Sequence, residues 1–194
     1  MNTKPLVEVR MDDVLQASMF AMYQKRALEF KTMYEWFREA DEMLEKHNYP
    51  CILAICAGGI DKELEWVEYI RCNQHRYKIE LHGLYHNNYA GMGRIVGKAE
   101  LSVALDKIEE TFGVRPTTWY LPWGRKGAPT WGPEVCKELG IKYDLPTRKL
   151  DSKFWLKEFL LKGEKSPFDH VNFHYWRPEQ IKSTEEVIKI IKNI

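Results

Sequence analysis

Cys51-Ile-Leu-Ala-Ile-Cys56, running into Ala57-Gly58-Gly59, is an unbroken apolar run closed by a glycine pair. A strand with one wet face alternates apolar and polar residues. A short continuous apolar run is instead the pattern of a strand buried on both faces, as in a parallel sheet covered by helices. Upstream, Met33, Trp36, Phe37, Ala40, Met43 and Leu44 recur at helical spacing, which predicts a helix over about 28–47 that Asn48-Tyr-Pro50 stops. Before it, the alternation from Leu6 to Met11 reads as a first strand. Downstream, residues 61–73 read as a helix with Asp61 as its N-cap, and 78–81 as a short strand. Lys98 to Phe112 reads as a long helix closed by Gly113. Then come a strand over 117–121, a helix over 133–139 ended by Gly140, strands over 141–145 and 171–175, and a last helix over 184–191. Strand and helix alternate about six times, the order of a parallel α/β sheet or a barrel.

The chain has 194 residues, a length that predicts one domain over 1–194. Lys+Arg is 29 and Asp+Glu 28, for a net charge of +1, so nucleic-acid binding by bulk charge and a polybasic membrane anchor are not expected. No stretch approaches the roughly 18 apolar residues of a membrane span. Cys51, Cys56, Cys72 and Cys136 form no CxxC pair and read as reduced thiols. With no signal-peptide pattern at the start, the expected location is cytoplasmic.

In α/β folds, function gathers at the carboxyl ends of the strands. Here those ends carry Asp12-Asp13, Ala57-Gly58-Gly59, His82 with His86, Pro122-Trp123-Gly124, Asp144 and His174. Two of the histidine pairs lie four residues apart, His82/His86 and His170/His174, where chance predicts about 0.15. An HxxxH can be a helix face or a buried structural pair; on one helical turn it can also chelate a metal. Adjacent aspartates can cap a helix. They can also divide a task, one ligating a metal and the other serving as a general base. Trp119-Tyr-Leu-Pro122-Trp123-Gly124 is either a core strand entering a turn or a rigid rim, with Tyr120, Pro122 and Trp123 walling a substrate pocket. Asp144 is either a surface acid or a carboxylate that orients a catalytic imidazole.

The order of these motifs resembles the polysaccharide deacetylases with a NodB-homology domain, carbohydrate esterase family four. Met11-Asp12-Asp13 resembles the family's first motif and Glu80-Leu-His82-Gly-Leu-Tyr-His86 its second. Tyr120-Leu-Pro122-Trp123-Gly124 matches the third in part, and Val171-Asn-Phe-His174 resembles the fifth. The resemblance runs from about residue 6 to 192. It implies an incomplete (β/α) barrel of about six to seven parallel strands. It also implies one divalent metal, with zinc expected, held by Asp13, His82 and His86. Asp12 would be the base and His174 the acid, while the Trp123 backbone N–H would help hold an oxyanion. The implied reaction removes an N-acetyl group from an amino sugar or a similar small substrate. Hydrolysis of a cyclic or ureido C–N bond, or an inactive binding module, are the alternatives. The arginine that the family's third motif pairs with the base is Leu121 here, and Arg125 and Arg115 stand nearest as replacements.

Overall fold

The computed structural model describes residues 8–16, 32–144, 170–175 and 177–193. Its elements, in chain order, are β1 (Glu8–Val14), α1 (Met33–Lys46), β2 (Cys51–Cys56), α2 (Leu64–Cys72), β3 (Tyr77–Gly83), α3 (Arg94–Phe112), β4 (Thr118–Tyr120), α4 (Gly132–Leu139), β5 (Lys142–Asp144), β6 (His170–Phe173) and α5 (Pro178–Lys192). The strands form one sheet, ordered β5-β4-β3-β2-β1-β6, with every pairing parallel. They curl into an incomplete barrel with helices around it.

The two-residue period of a strand sends successive side chains to opposite faces. Odd-numbered residues form the outer face. Val9, Met11, Leu53, Ile55, Ile79, Leu81, Trp119 and Phe173 pack there with Phe37, Leu44, Trp66, Ile70, Leu101, Leu105 and Ile108 of the helices in one core. Even-numbered residues form the inner face, where Ile52, Ala54 and Tyr120 make a second, small apolar cluster. Around that cluster the inner face is polar and still buried, with Arg10, Asp12, Glu80, His82 and Thr118. β2 is therefore buried on both sides, as its unbroken apolar run requires.

α1 opens at Thr32 with a reciprocal capping box, the Thr32 side chain accepting from Glu35 N and the Glu35 side chain accepting from Thr32 N. Residues 28–31 of the expected helix lie outside the described residues. α3 begins at Arg94, earlier than expected, and ends where expected, with Gly113 in the left-handed region (φ 68). α5 begins at Pro178, six residues ahead of the expected Thr184, and Asp61 does not cap α2. Residues 57–63 fold into successive turns, with Ile60 N donating to Ala57 O and both Lys62 N and Glu63 N donating to Gly59 O. α2 therefore starts at Leu64, and Asp61 pairs with Lys107 of α3 instead. Gly59 is required here, because a Cβ would lie 1.6 Å from the Leu15 carbonyl oxygen. All four cysteines are free thiols, and no described helix is long and apolar enough to cross a membrane.

Candidate metal centre at the strand ends

In a regular strand Asp12 and Asp13 would face opposite sides of the sheet. β1 does not stay regular. Its register with β2 shifts between Met11 and Val14, and Asp13 (φ 61) and Leu15 (φ 65) both adopt left-handed backbone. A bulge of this kind re-aims a side chain, and aspartate is among the residues that tolerate the conformation best. The Asp13 carbonyl is pinned by the Tyr175 hydroxyl (3.0 Å) and by Gln16 N (3.2 Å). The second irregularity lies in β3, where the register shifts past His82 and Gly83 takes φ 107. A Cβ at Gly83 would meet the Tyr89 hydroxyl at 2.5 Å.

His82 and His86 do not share a helical turn. His82 ends the regular part of β3, and His86 lies beyond a bend with left-handed backbone (φ 57). The chain reverses enough between them to bring their ring centroids to 5.1 Å. His82 Nδ1 sits 2.7 Å from the Tyr120 carbonyl oxygen. A carbonyl only accepts, so Nδ1 carries the proton and Nε2 offers its lone pair to the site. The Trp123 indole N–H donates to the His86 carbonyl (3.0 Å), and its ring lies 5.5 Å from the imidazole. Asn87 and Tyr89 both donate to Glu100 of α3, which ties down the loop that follows.

These devices bring Nε2 of His82 and Nε2 of His86 to 3.0 and 2.8 Å from one oxygen, Asp13 Oδ1. Asp13 is 1% exposed, and Oδ1 has no well-directed hydrogen bond although both nitrogens face it. Burial pushes the Asp13 carboxyl up, but its contacts with His82 and His86 hold it well below the usual carboxylate range. Burial pushes the His82 ring toward the neutral form, and Asp13 more than offsets this. One buried carboxylate oxygen facing two imidazole nitrogens is a donor set that a divalent ion satisfies. Zn²⁺ takes two histidine nitrogens and one carboxylate oxygen and keeps a position open. Among the described residues, Asp13, His82 and His86 are the one histidine, cysteine and carboxylate group so arranged.

Asp12 lies beside this centre on the inner face. Arg10, two residues earlier on the same face, grips it with a fork: Nε to Oδ1 at 2.6 Å and Nη2 to Oδ2 at 3.0 Å. Asn172 of β6 adds a third bond to Oδ2 at 3.0 Å. Burial pushes the Asp12 carboxyl up, but Arg10, joined by His82 and His174, pulls it down further, to about 2. Arg10 in turn reaches Asp144 Oδ2 (3.3 Å) and lies 4.1 Å above the Tyr120 ring. His174 brings Nε2 to 3.8 Å from Asp13 Oδ2, while its Nδ1 faces Gln180 Oε1 at 3.1 Å. The structure thus places Asp144 against a guanidinium and seats the His174 imidazole on Gln180. Burial and then the neighbouring aspartates raise the Cys56 thiol well above its ordinary value.

The rim residues separate. Trp123, left-handed at φ 62, is 53% exposed, whereas Pro122 is buried and Tyr120 is 5% exposed beneath Arg10. Tyr120 acts through its carbonyl and its ring face rather than as an open wall. Arg115 lies away from the centre, on Asp106 and Glu109, and Arg125 sits on an exposed turn. Among the described residues, the guanidinium that reaches Asp12 comes from β1 itself, from Arg10. Sequence reading passed over Arg10, Asn172 and Gln180. The one signal available was that Arg10 and Asp12 share a strand face. The side chain of His170 lies outside the described residues, as does residue 145 of the expected fifth strand.

Solved structures with this fold include a carbohydrate esterase family four pseudoenzyme from Bacillus anthracis, 12% identical with a TM-score of 0.65. The match covers all of this chain and 62% of that one, so the chain spans less than two thirds of that relative. A polysaccharide deacetylase from Bacillus cereus is 14% identical with a TM-score of 0.65, over 98% of this chain and 88% of its own. The peptidoglycan deacetylase PdaC from Bacillus subtilis is 14% identical with a TM-score of 0.63, over 98% and 85%. No curated protein sequence matches the chain. The polysaccharide deacetylase family model matches residues 24–143, a span that holds His82, His86 and the 120–124 segment, while Asp12, Asp13, Asp144 and His174 flank it. With that match over more than half its length, the chain belongs to the polysaccharide deacetylase family.

Proposed function

We propose that the protein is a metal-dependent amide hydrolase that removes an N-acetyl group from an amino sugar or a similar small N-acetylated substrate. The observation that carries this reading is the convergence of Asp13, His82 and His86 between a carboxylate, Asp12, and a partly exposed imidazole, His174. A pure binding module needs neither a base nor an acid at such a centre.

Asp13, His82 and His86 would hold the ion, with zinc the expected one. Bound there, it supplies a Lewis acid for the scissile carbonyl and the attacking water. Asp12, ionised under Arg10, accepts the proton of that water. His174 delivers a proton to the departing amine, its ring held through Nδ1 by Gln180. The Trp123 backbone N–H, on a turn fixed by left-handed geometry, is the chain's own donor for the oxyanion. The exposed Trp123 ring walls the approach to the centre.

The test is acetate release from a panel of N-acetylated amino sugars by the metal-loaded protein, run beside cyclic and ureido amides. The reading expects acetate, lost on chelation and restored by a divalent ion. Turnover of only cyclic or ureido amides would move the substrate class. Binding of N-acetyl sugars with no turnover at all would make the protein a binding module.

A further inference from the structure

Two aspartates stand side by side at the end of β1, and three ligands leave a divalent ion room for more. A second carboxylate one residue from the first is a natural candidate for that room, and Asp12 is close enough to His82 to feel its charge. What holds Asp12 back is visible in its bonding. A carboxylate has about four lone-pair positions. Arg10 takes one on each oxygen, and Asn172 takes another on Oδ2. One position remains, enough to receive a proton.

The clamp is itself fixed. Arg10 is 3% exposed, its third nitrogen reaches Asp144, and its flat face rests on Tyr120. A planar fork matches a carboxylate on both oxygens at once, whereas a lysine ammonium binds as a point charge and leaves the group free to turn. On the metal-hydrolase reading above, we infer that Arg10, braced by Asp144 and Tyr120, is a positioning residue that divides the labour of the two aspartates: it keeps Asp12 off the metal, so that of the two Asp13 alone is a ligand. Arg10 touches neither substrate nor metal in this scheme. It acts through Asp12.

Cobalt(II) is the probe, because its visible absorption reports how many ligands surround it, and intensity falls as the coordination number rises. The full chain carrying Arg10→Met, Arg10→Lys, Asp144→Asn or the pair Arg10→Met with Asp12→Asn is loaded with cobalt(II) and compared with wild type. Arg10→Met should bind cobalt(II) at least as tightly as wild type, show a weaker visible band, and lose about 10–100-fold in kcat at unchanged KM. Arg10→Lys and Asp144→Asn should move the same readouts in the same direction by less. The double variant should regain the wild-type spectrum while staying inactive, since no second carboxylate is left to enter. Asp144 is partly exposed, so its variant carries the test if Arg10→Met does not fold. Wild-type spectra and kcat in Arg10→Lys and Asp144→Asn would overturn the inference. So would loss of cobalt(II) from folded Arg10→Met, or a double variant that keeps the altered spectrum. If wild type takes up cobalt(II) but hydrolyses no amide, the functional reading falls and the spectral comparison still decides the role of Arg10. If wild type takes up no cobalt(II), both fall.

Discussion

Glu80 offers a sharp test of how the fold sets the centre. It lies on the inner face of β3 at 1% exposure. Its Oε2 accepts from Thr117 N (2.8 Å) and Thr118 N (2.7 Å), and its Oε1 accepts from the Thr117 hydroxyl (2.9 Å). The β3–β4 ladder has one register pair, Leu81 with Trp119, so this carboxylate holds the start of β4 in place of a longer ladder. β4 carries Tyr120, whose carbonyl fixes the His82 ring. In Glu80→Ala the buried Thr118 N–H is stranded, at about 1–3 kcal/mol, and the bonds to the more exposed Thr117 cost about 1 kcal/mol more. The Lys78 pair adds little, because that ammonium is 52% exposed. The total is about 3 kcal/mol, or a fall of about 6–12 °C in Tm for a chain of this size. Glu80→Gln keeps an oxygen for the two N–H groups and should cost about 1 kcal/mol. Urea and thermal unfolding give both numbers, and a zinc titration should show weaker binding in Glu80→Ala as the Tyr120 carbonyl loosens. Stability of Glu80→Ala within about 0.5 kcal/mol of wild type would refute the reasoning, as that is the scatter of an ordinary surface change. Equal costs for alanine and glutamine would show that charge, not the stranded donor, sets the effect.

His82→Ala and His86→Ala should each remove the bound divalent ion, measured by elemental analysis after dialysis, while His170→Ala should keep it. His174→Ala should lose at least about tenfold more activity on an N-acetyl amine than on an activated acetate ester, about 1.4 kcal/mol, because a good leaving group needs no acid; equal losses would make His174 a positioning group. Asp12 is held at about 2 against an ordinary 3.8, so its folded-state pKa is depressed. Its contribution, about 2 kcal/mol, is whole above about pH 5 and disappears as the pH falls toward about 2. In urea unfolding of the metal-free protein, wild type should therefore lose about 2 kcal/mol more over that range than Asp12→Asn, and parallel curves would contradict it.

Much of the site was legible from strand ends alone. Asp12, Asp13 and His82 lie at the ends of strands whose apolar pattern is local, His86 follows just beyond one of them, and placing functional residues there needed only the rule for α/β folds. Where local reading ends, a backbone irregularity or a long-range partner decides. Asp61 looked like a cap until the turns over 57–63 moved the helix start. The guanidinium that reaches Asp144 comes from Arg10, 134 residues away on β1. Arg10 looked like the polar half of an alternating strand.

By itself the sequence determined the alternation of strands and helices, the two-sided burial of β2, the glycine ends at 113 and 140, and the family. These depend on residues within a few positions of one another, where spacing maps directly to a helix turn or a pleat. The tertiary structure decided which polar groups meet. A one-residue shift in a strand sends every later side chain to the opposite face. The bulges at Asp12-Asp13 and His82-Gly83 therefore set the direction of the ligands, and no local pattern announces them. The partner of Asp12 was settled the same way: parallel register lays Arg10 beside Asn172, and the curl of the sheet carries Asp144 to the guanidinium.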